Sequence, residues 1–260
     1  MLIEDCIFNT GDDCIALKSG MDADGRAVGI PTVNVTVRNT HFFQGHGCSI
    51  GSDMSGGIAH VVFENLTFKG THSGVRIKDQ RGRGGYVRNI TYRNATMEGV
   101  GSVLRINQFY HGGIPPTNAT ATPTFKDFLV QDIAAKSSGG GQVICLPEWP
   151  CHGIRFERVN IEGAGVNVAN VYGSAVDVTP PLKMLSGNPP PVKPAMPSPP
   201  GLADVAVFTS GSDGYNTYRI PAIVQTRQEG VVLAVRVLSS PLSAPASSPS
   251  RLHRDGLFRE

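Results

Sequence analysis

The sequence predicts an all-β protein wound as a parallel β-helix, and three observations carry that expectation. The 260 residues include 31 glycines against 11 Phe, 6 Tyr and 1 Trp, a composition that suits many tight turns and thin strands. No segment carries the 3.6-residue apolar stripe of a covering helix. A strand–turn–strand unit recurs along the chain at the period of one solenoid coil.

The unit starts six times, at I-E-D-C-I-F (3–8), V-R-N-T-H-F (37–42), F-E-N-L-T-F (63–68), Y-R-N-A-T-M (92–97), V-Q-D-I-A-A (130–135) and F-E-R-V-N-I (156–161). After a turn, each is followed by a second short apolar strand: C-I-A-L (14–17), C-S-I (48–50), V-R-I (75–77), V-L-R-I (103–106), V-I-C-L (143–146) and V-N-V (166–168). From Asp5 to Asn39, Asn65, Asn94, Asp132 and Arg158 the steps are 34, 26, 29, 38 and 26 residues, too long for a hairpin meander and right for stacked coils. A propeller or a sandwich is the competing all-β arrangement. In a parallel stack, residues in equal register are neighbours about 4.8 Å apart. Asp12 and His46, each seven residues after its marker, therefore belong on adjacent rungs. Arg76 and Lys78 lie on one strand and point the same way.

Bulk properties narrow the function. A 40% hydrophobic content supports a real core, and the near balance of 23 basic and 21 acidic side chains argues against a nucleic-acid partner. No apolar run reaches the length of a membrane span, and the first residues lack the basic and apolar regions of a signal peptide. Of the five cysteines, Cys145 and Cys151 suit a short loop bridge, and the pairing of Cys6, Cys14 and Cys48 stays open. Asn-x-Thr acceptors at Asn34, Asn65, Asn89, Asn94 and Asn118 point to an extracellular protein.

Chemistry concentrates on one face. Two adjacent carboxylates, Asp12 and Asp13, sit in G-D-D-C-I-A-L-K-S-G (11–20), where acidic residues after glycine are also ordinary turn residues. Their shared register with His46, Arg76 and Lys78 sets them apart. Paired acids beside a histidine can divide proton donation and water activation, as glycoside hydrolysis requires. Arg76 and Lys78 can hold a carboxylate, which favours an acidic sugar over a neutral one.

These stretches, together with G-H-G-C-S-I-G-S (45–52), R-I-K (76–78) and G-R-G-G-Y-V-R-N-I-T-Y (82–92), resemble in order and spacing the signatures of polygalacturonases, glycoside hydrolase family 28. The likeness covers about residues 1–178. It implies a right-handed parallel β-helix that hydrolyses α-1,4 links between galacturonates with inversion, as a monomer, without cofactor or metal. It implies Asp12 as general acid, Asp13 as partner in activating water, His46 as support for the acid, and Arg76, Lys78 and Tyr110 as substrate binders. C-L-P-E-W-P-C (145–151) resembles the family's C-terminal disulfide loop. The family's N-T-D motif, one coil before G-D-D, has no counterpart here, because Phe8-Asn9-Thr10-Gly11 belongs to the G-D-D turn itself. The expectation is therefore an N-terminally truncated β-helix, lacking earlier coils and their cap, with weakened catalysis. A non-catalytic β-helix that binds uronate polysaccharide is the alternative.

Composition changes sharply at Thr179, where a Pro-rich linker is expected over 179–203. Residues 204–236, with Y-R-I-P at 218–221, resemble the first strand pair of a sialidase propeller, in which Arg219 matches a carboxylate-gripping arginine. One such arginine makes no site, so an isolated hairpin without activity is expected. The tail 237–260 is low-complexity and is expected to be disordered.

Overall fold

The structure is a computed structural model that describes residues 1–110 and 121–187, and the backbone of 221–225 and 231–235. In chain order the elements of the first rungs are β1 (Leu2–Glu4), β2 (Ile7–Phe8), β3 (Ile15–Leu17), α1 (Asp22–Val28), β4 (Thr32–Phe42), β5 (Cys48–Gly51), β6 (Ile58–Lys69) and β7 (Val75–Lys78). Then follow β8 (Tyr86–Glu98), β9 (Leu104–Asn107), β10 (Thr124–Lys136), β11 (Gly141–Ile144), β12 (Cys151–Ile161), β13 (Val166–Ala169), β14 (Val171–Thr179), β15 (Pro221–Gln225) and β16 (Val231–Val235). Long and short strands alternate and sort into two sheets, β1-β4-β6-β8-β10-β12-β14 and β13-β11-β9-β7-β5-β3-β15-β16, with every pairing parallel except β15 with β16. This is the expected right-handed parallel β-helix.

The repeat marker is a bend. Asp5, Asn39, Asn65, Asn94, Asp132 and Arg158 all take left-handed backbone conformations, with φ from 51° to 54°. Asn and Asp tolerate this region best among residues with a side chain. A second bend lies five residues earlier at Asn34, His60, Asn89 and Asp127. Two bends let a strand such as β8 turn a corner without leaving its ladder. The amides also stack, with Asn65 Nδ2 donating to Asn39 Oδ1 at 3.1 Å and Asn94 Nδ2 to Asn65 Oδ1 at 2.7 Å. Asn65→Ala is expected to lower stability by about 1–2 kcal/mol, the strain of a left-handed alanine, in a urea titration. Asn65→Gly should fall between wild type and Asn65→Ala, because it relieves that strain but loses the amide stack.

Inward-facing residues of both sheets form the core. Ile15, Cys48, Val75 and Leu104 make one buried column, and Leu17, Ile50, Ile77 and Ile106 another. Aromatic rings stack along the axis as well, Phe42 on Phe68 at 4.7 Å and Phe63 on Tyr92 at 4.3 Å between centroids.

Three features differ from the sequence expectation. Helix α1 interrupts the all-β chain, ending at Gly29, whose N–H bonds Gly25 O. It is too short to show an apolar stripe. The strand expected at 143–146 is Gly141–Ile144, and Cys145, whose N–H still donates to Ala169 O, opens the loop closed by the Cys145–Cys151 disulfide. The stack also runs past Thr179: Leu182 and Met184 pack on the core, and Leu185 N donates to Val171 O at 2.8 Å. Further on, β15 lies parallel beside β3, pairing Ala222 with Ala16 and Ile223 with Leu17. Most of the expected linker, Arg219 and the 237–260 tail fall outside the described residues.

Candidate functional site

The site grows from the turn that precedes β3. Thr10 Oγ1 donates to Asp12 O at 2.8 Å, and Asp13 N donates to Asp12 Oδ1 at 2.7 Å, so the doublet is held locally. On the next rung His46 N donates to Asp12 O at 2.9 Å. That approach requires glycine before the histidine: at Gly45, φ is 78°, and an added Cβ would lie 2.3 Å from Asp12 O.

Asp13 is 1% exposed and surrounded by donors. Its Oδ1 accepts from Ser49 Oγ at 2.7 Å and from Arg76 Nη1 at 2.5 Å, and its Oδ2 accepts from Lys78 Nζ at 2.6 Å. Burial by itself would raise the Asp13 pKa, but His46, Lys78 and Arg76 outweigh it and hold the carboxyl well below the ordinary range. Arg76 and Lys78 stand on β7, whereas Asp13 precedes β3, with β5 between them. The register explains the reach. Ser49 pairs with Arg76 and Gly51 with Lys78, so the intervening rung presents its two smallest side chains under the crossing cations.

His46 Nδ1 lies 3.1 Å from Asp12 Oδ1 and 3.5 Å from Asp13 Oδ1, near both carboxylates but without the alignment of a hydrogen bond. Asp12 and His46 keep part of their surface open, with side-chain exposures of 13% and 29%. Tyr110 joins from beyond β9, its ring centroid 5.1 Å from Lys78 Nζ and its N–H donating to Asp79 O. The structure thus brings together Asp12, Asp13, His46, Arg76, Lys78 and Tyr110. One donor atom each from Asp12, Asp13 and His46 falls within 4.8 Å of the others, a spacing a cation could span, but Arg76 and Lys78 already neutralise Asp13.

Sequence reasoning missed Ser49, although equal register with Arg76 was available to find it. It also missed a second network beside the first. Lys18 Nζ lies 2.7 Å from Asp53 Oδ2, and Arg83 joins Asp53 at 3.4 Å and Asp22 at 3.0 Å. Arg26 of α1 donates to Gly82 O and Arg83 O, both at 2.8 Å, so the unexpected helix braces the 82–83 turn.

Asp79 follows Lys78 and is fully buried, which pushes its pKa well above the ordinary value. Folding therefore favours the protonated carboxyl. The stability this supplies is complete below the unfolded value of 3.8 and is lost as pH rises from there toward the folded-state value. Asp79→Asn should match wild type in acid and become the more stable protein as pH rises, in denaturant titrations run across that range.

Comparisons with known proteins identify the family. The family described as glycosyl hydrolases family 28 matches residues 1–178. A probable polygalacturonase of Arabidopsis thaliana is 32% identical over 202 residues, covering 71% of this chain and 42% of that protein. A probable polygalacturonase of Vitis vinifera is 44% identical over 165 residues, covering 61% and 33%. The crystal structure of a hyperthermoactive exopolygalacturonase from Thermotoga maritima superposes with a TM-score of 0.58 at 30% identity, covering 68% of this chain and 38% of that one. The chain spans less than half the length of these relatives. With residues 1–178 matched, more than half of the sequence, the chain belongs to the glycosyl hydrolases family 28.

Proposed function

We propose that the protein is a polygalacturonase-type glycosidase acting outside the cell on α-1,4-galacturonosyl links of pectic polysaccharide, as a monomer and with inversion. The observation that carries this reading is the partly open Asp12–His46 edge set against a buried carboxylate with two cations. Asp12 donates a proton to the leaving oxygen, and His46 beside it steadies that carboxyl. Asp13 stays ionised and helps orient the attacking water. Arg76 and Lys78 have donors left after binding Asp13, and these take the carboxylate of the sugar, with the Tyr110 ring alongside.

Most inverting pairs stand roughly 6.5–9.5 Å apart to admit the water. One oxygen each of Asp12 and Asp13 lie within 4.8 Å of one another, closer than that spacing, so slow turnover by these two alone is the expected result. The same closeness favours the second reading, a non-catalytic uronate binder. Reducing-end release separates the two. The enzyme liberates new reducing ends from polygalacturonate and none from neutral galactan. Retention on polygalacturonate without new ends would establish the binder, and no retention on either polymer would refute both.

A further inference from the structure

The outward side of the shorter-stranded sheet carries a column of polar residues beyond the site just described. One per rung, the register runs Ser49, Arg76, Arg105, Gln142 and Asn167. Arg76 is buried and neutralised by Asp13. Arg105, its direct partner on β9, is half-buried, and no described residue gives it an ion pair or a hydrogen bond. A guanidinium partly withdrawn from water, one rung from another, is a local excess of positive charge that an anion would relieve.

The surroundings extend the groove and do not close it. His72 stands one rung beyond His46 with ring centroids 4.9 Å apart and is exposed. Partial desolvation, then the charges of His46, Arg105 and Arg76, lower its pKa, so this imidazole is less readily charged beside the arginines. Gln142 and Asn167 continue the column with neutral amides suited to sugar hydroxyls. Rungs repeat at about 4.8 Å, close to the length that one pyranose adds to an extended 1,4-linked chain.

We propose that Arg105 forms a second carboxylate subsite for the same acidic polysaccharide, which lies along the helix axis from Arg76 toward Gln142. This assignment rests on the uronate reading above. It makes Arg105 a specificity residue for long, unesterified substrates, outside the proton-transfer machinery.

Binding of galacturonate oligomers of increasing length to the 260-residue chain tests it, by calorimetry on wild type, Arg105→Gln and Arg105→Lys. Arg105→Gln should weaken binding of the dimer and longer oligomers about 10- to 100-fold, the scale of one charge-assisted pair, and leave the galacturonate monomer unchanged. Arg105→Lys should lie between, and methyl-esterified oligomers should bind wild type and Arg105→Gln alike. If long oligomers bind Arg105→Gln within about two-fold of wild type, or if monomer and long oligomers weaken equally, the subsite is refuted while the uronate reading stands. If wild type binds no oligomer, the uronate reading falls and the subsite with it. Should Arg105→Gln fail to fold, Arg105→Lys decides: long oligomers weakened while the monomer is not supports the subsite, and wild-type affinity at every length refutes it.

Discussion

Replacing Asp13 by asparagine should lower the unfolding free energy by about 3–5 kcal/mol, the scale for removing one partner from a buried ionic cluster. Asparagine keeps the shape and can still accept from Ser49, but it leaves Arg76 and Lys78, 5% and 6% exposed, without a counterion. Urea titration at neutral pH is the measurement. Because folding depresses the Asp13 pKa, its contribution is present above the unfolded value of 3.8 and is lost as pH falls below it. The gap between wild type and variant should therefore narrow in acid. The exposed Asp127 provides the control, since Asp127→Asn should change stability by less than about 0.5 kcal/mol. Equal stability of Asp13→Asn and wild type at neutral pH would show that the cations find other partners.

Asp12→Asn should act on rate and spare the fold. Its carboxylate is partly open and lies 3.1 Å from His46 Nδ1, and under the proposed function it is the group that donates a proton. A general acid contributes about 10²- to 10⁴-fold, so reducing-end release should fall by that factor while retention on polygalacturonate persists. Unchanged turnover would move the acid to another residue. The two substitutions are adjacent in sequence but should separate in unfolding, since Asp13→Asn lowers both stability and rate whereas Asp12→Asn lowers rate alone.

The fold was legible because its repeat is physical. The Asn/Asp marker stands at a left-handed bend, where few other residues serve, so the bend is written into residue identity. Equal register then placed Asp12 beside His46 and aimed Arg76 and Lys78 the same way. What register cannot tell is how far a side chain travels. Arg76 and Lys78 read in sequence as binders of a substrate carboxylate, and both also reach back across β5 to Asp13. That reach depends on the small size of Ser49 and Gly51, a fact of neighbouring rungs that no single strand displays. Helix α1 was missed for a related reason. Gly25 packs so tightly on Gly20 that an added Cβ would lie 2.5 Å from its backbone, and that contact, not a periodic pattern, seats the turn.

The rung-skipping pair also has a kinetic meaning. Asp13 and Arg76 are 63 residues apart in sequence, and β5 must already be seated between their strands before the two can meet. An interaction that completes after its intervening coil is absent from an early folding nucleus, so its loss accelerates unfolding and leaves refolding nearly untouched. The chevron of Asp13→Asn should accordingly shift along its unfolding arm, which makes this cluster a latch on the lifetime of the native state.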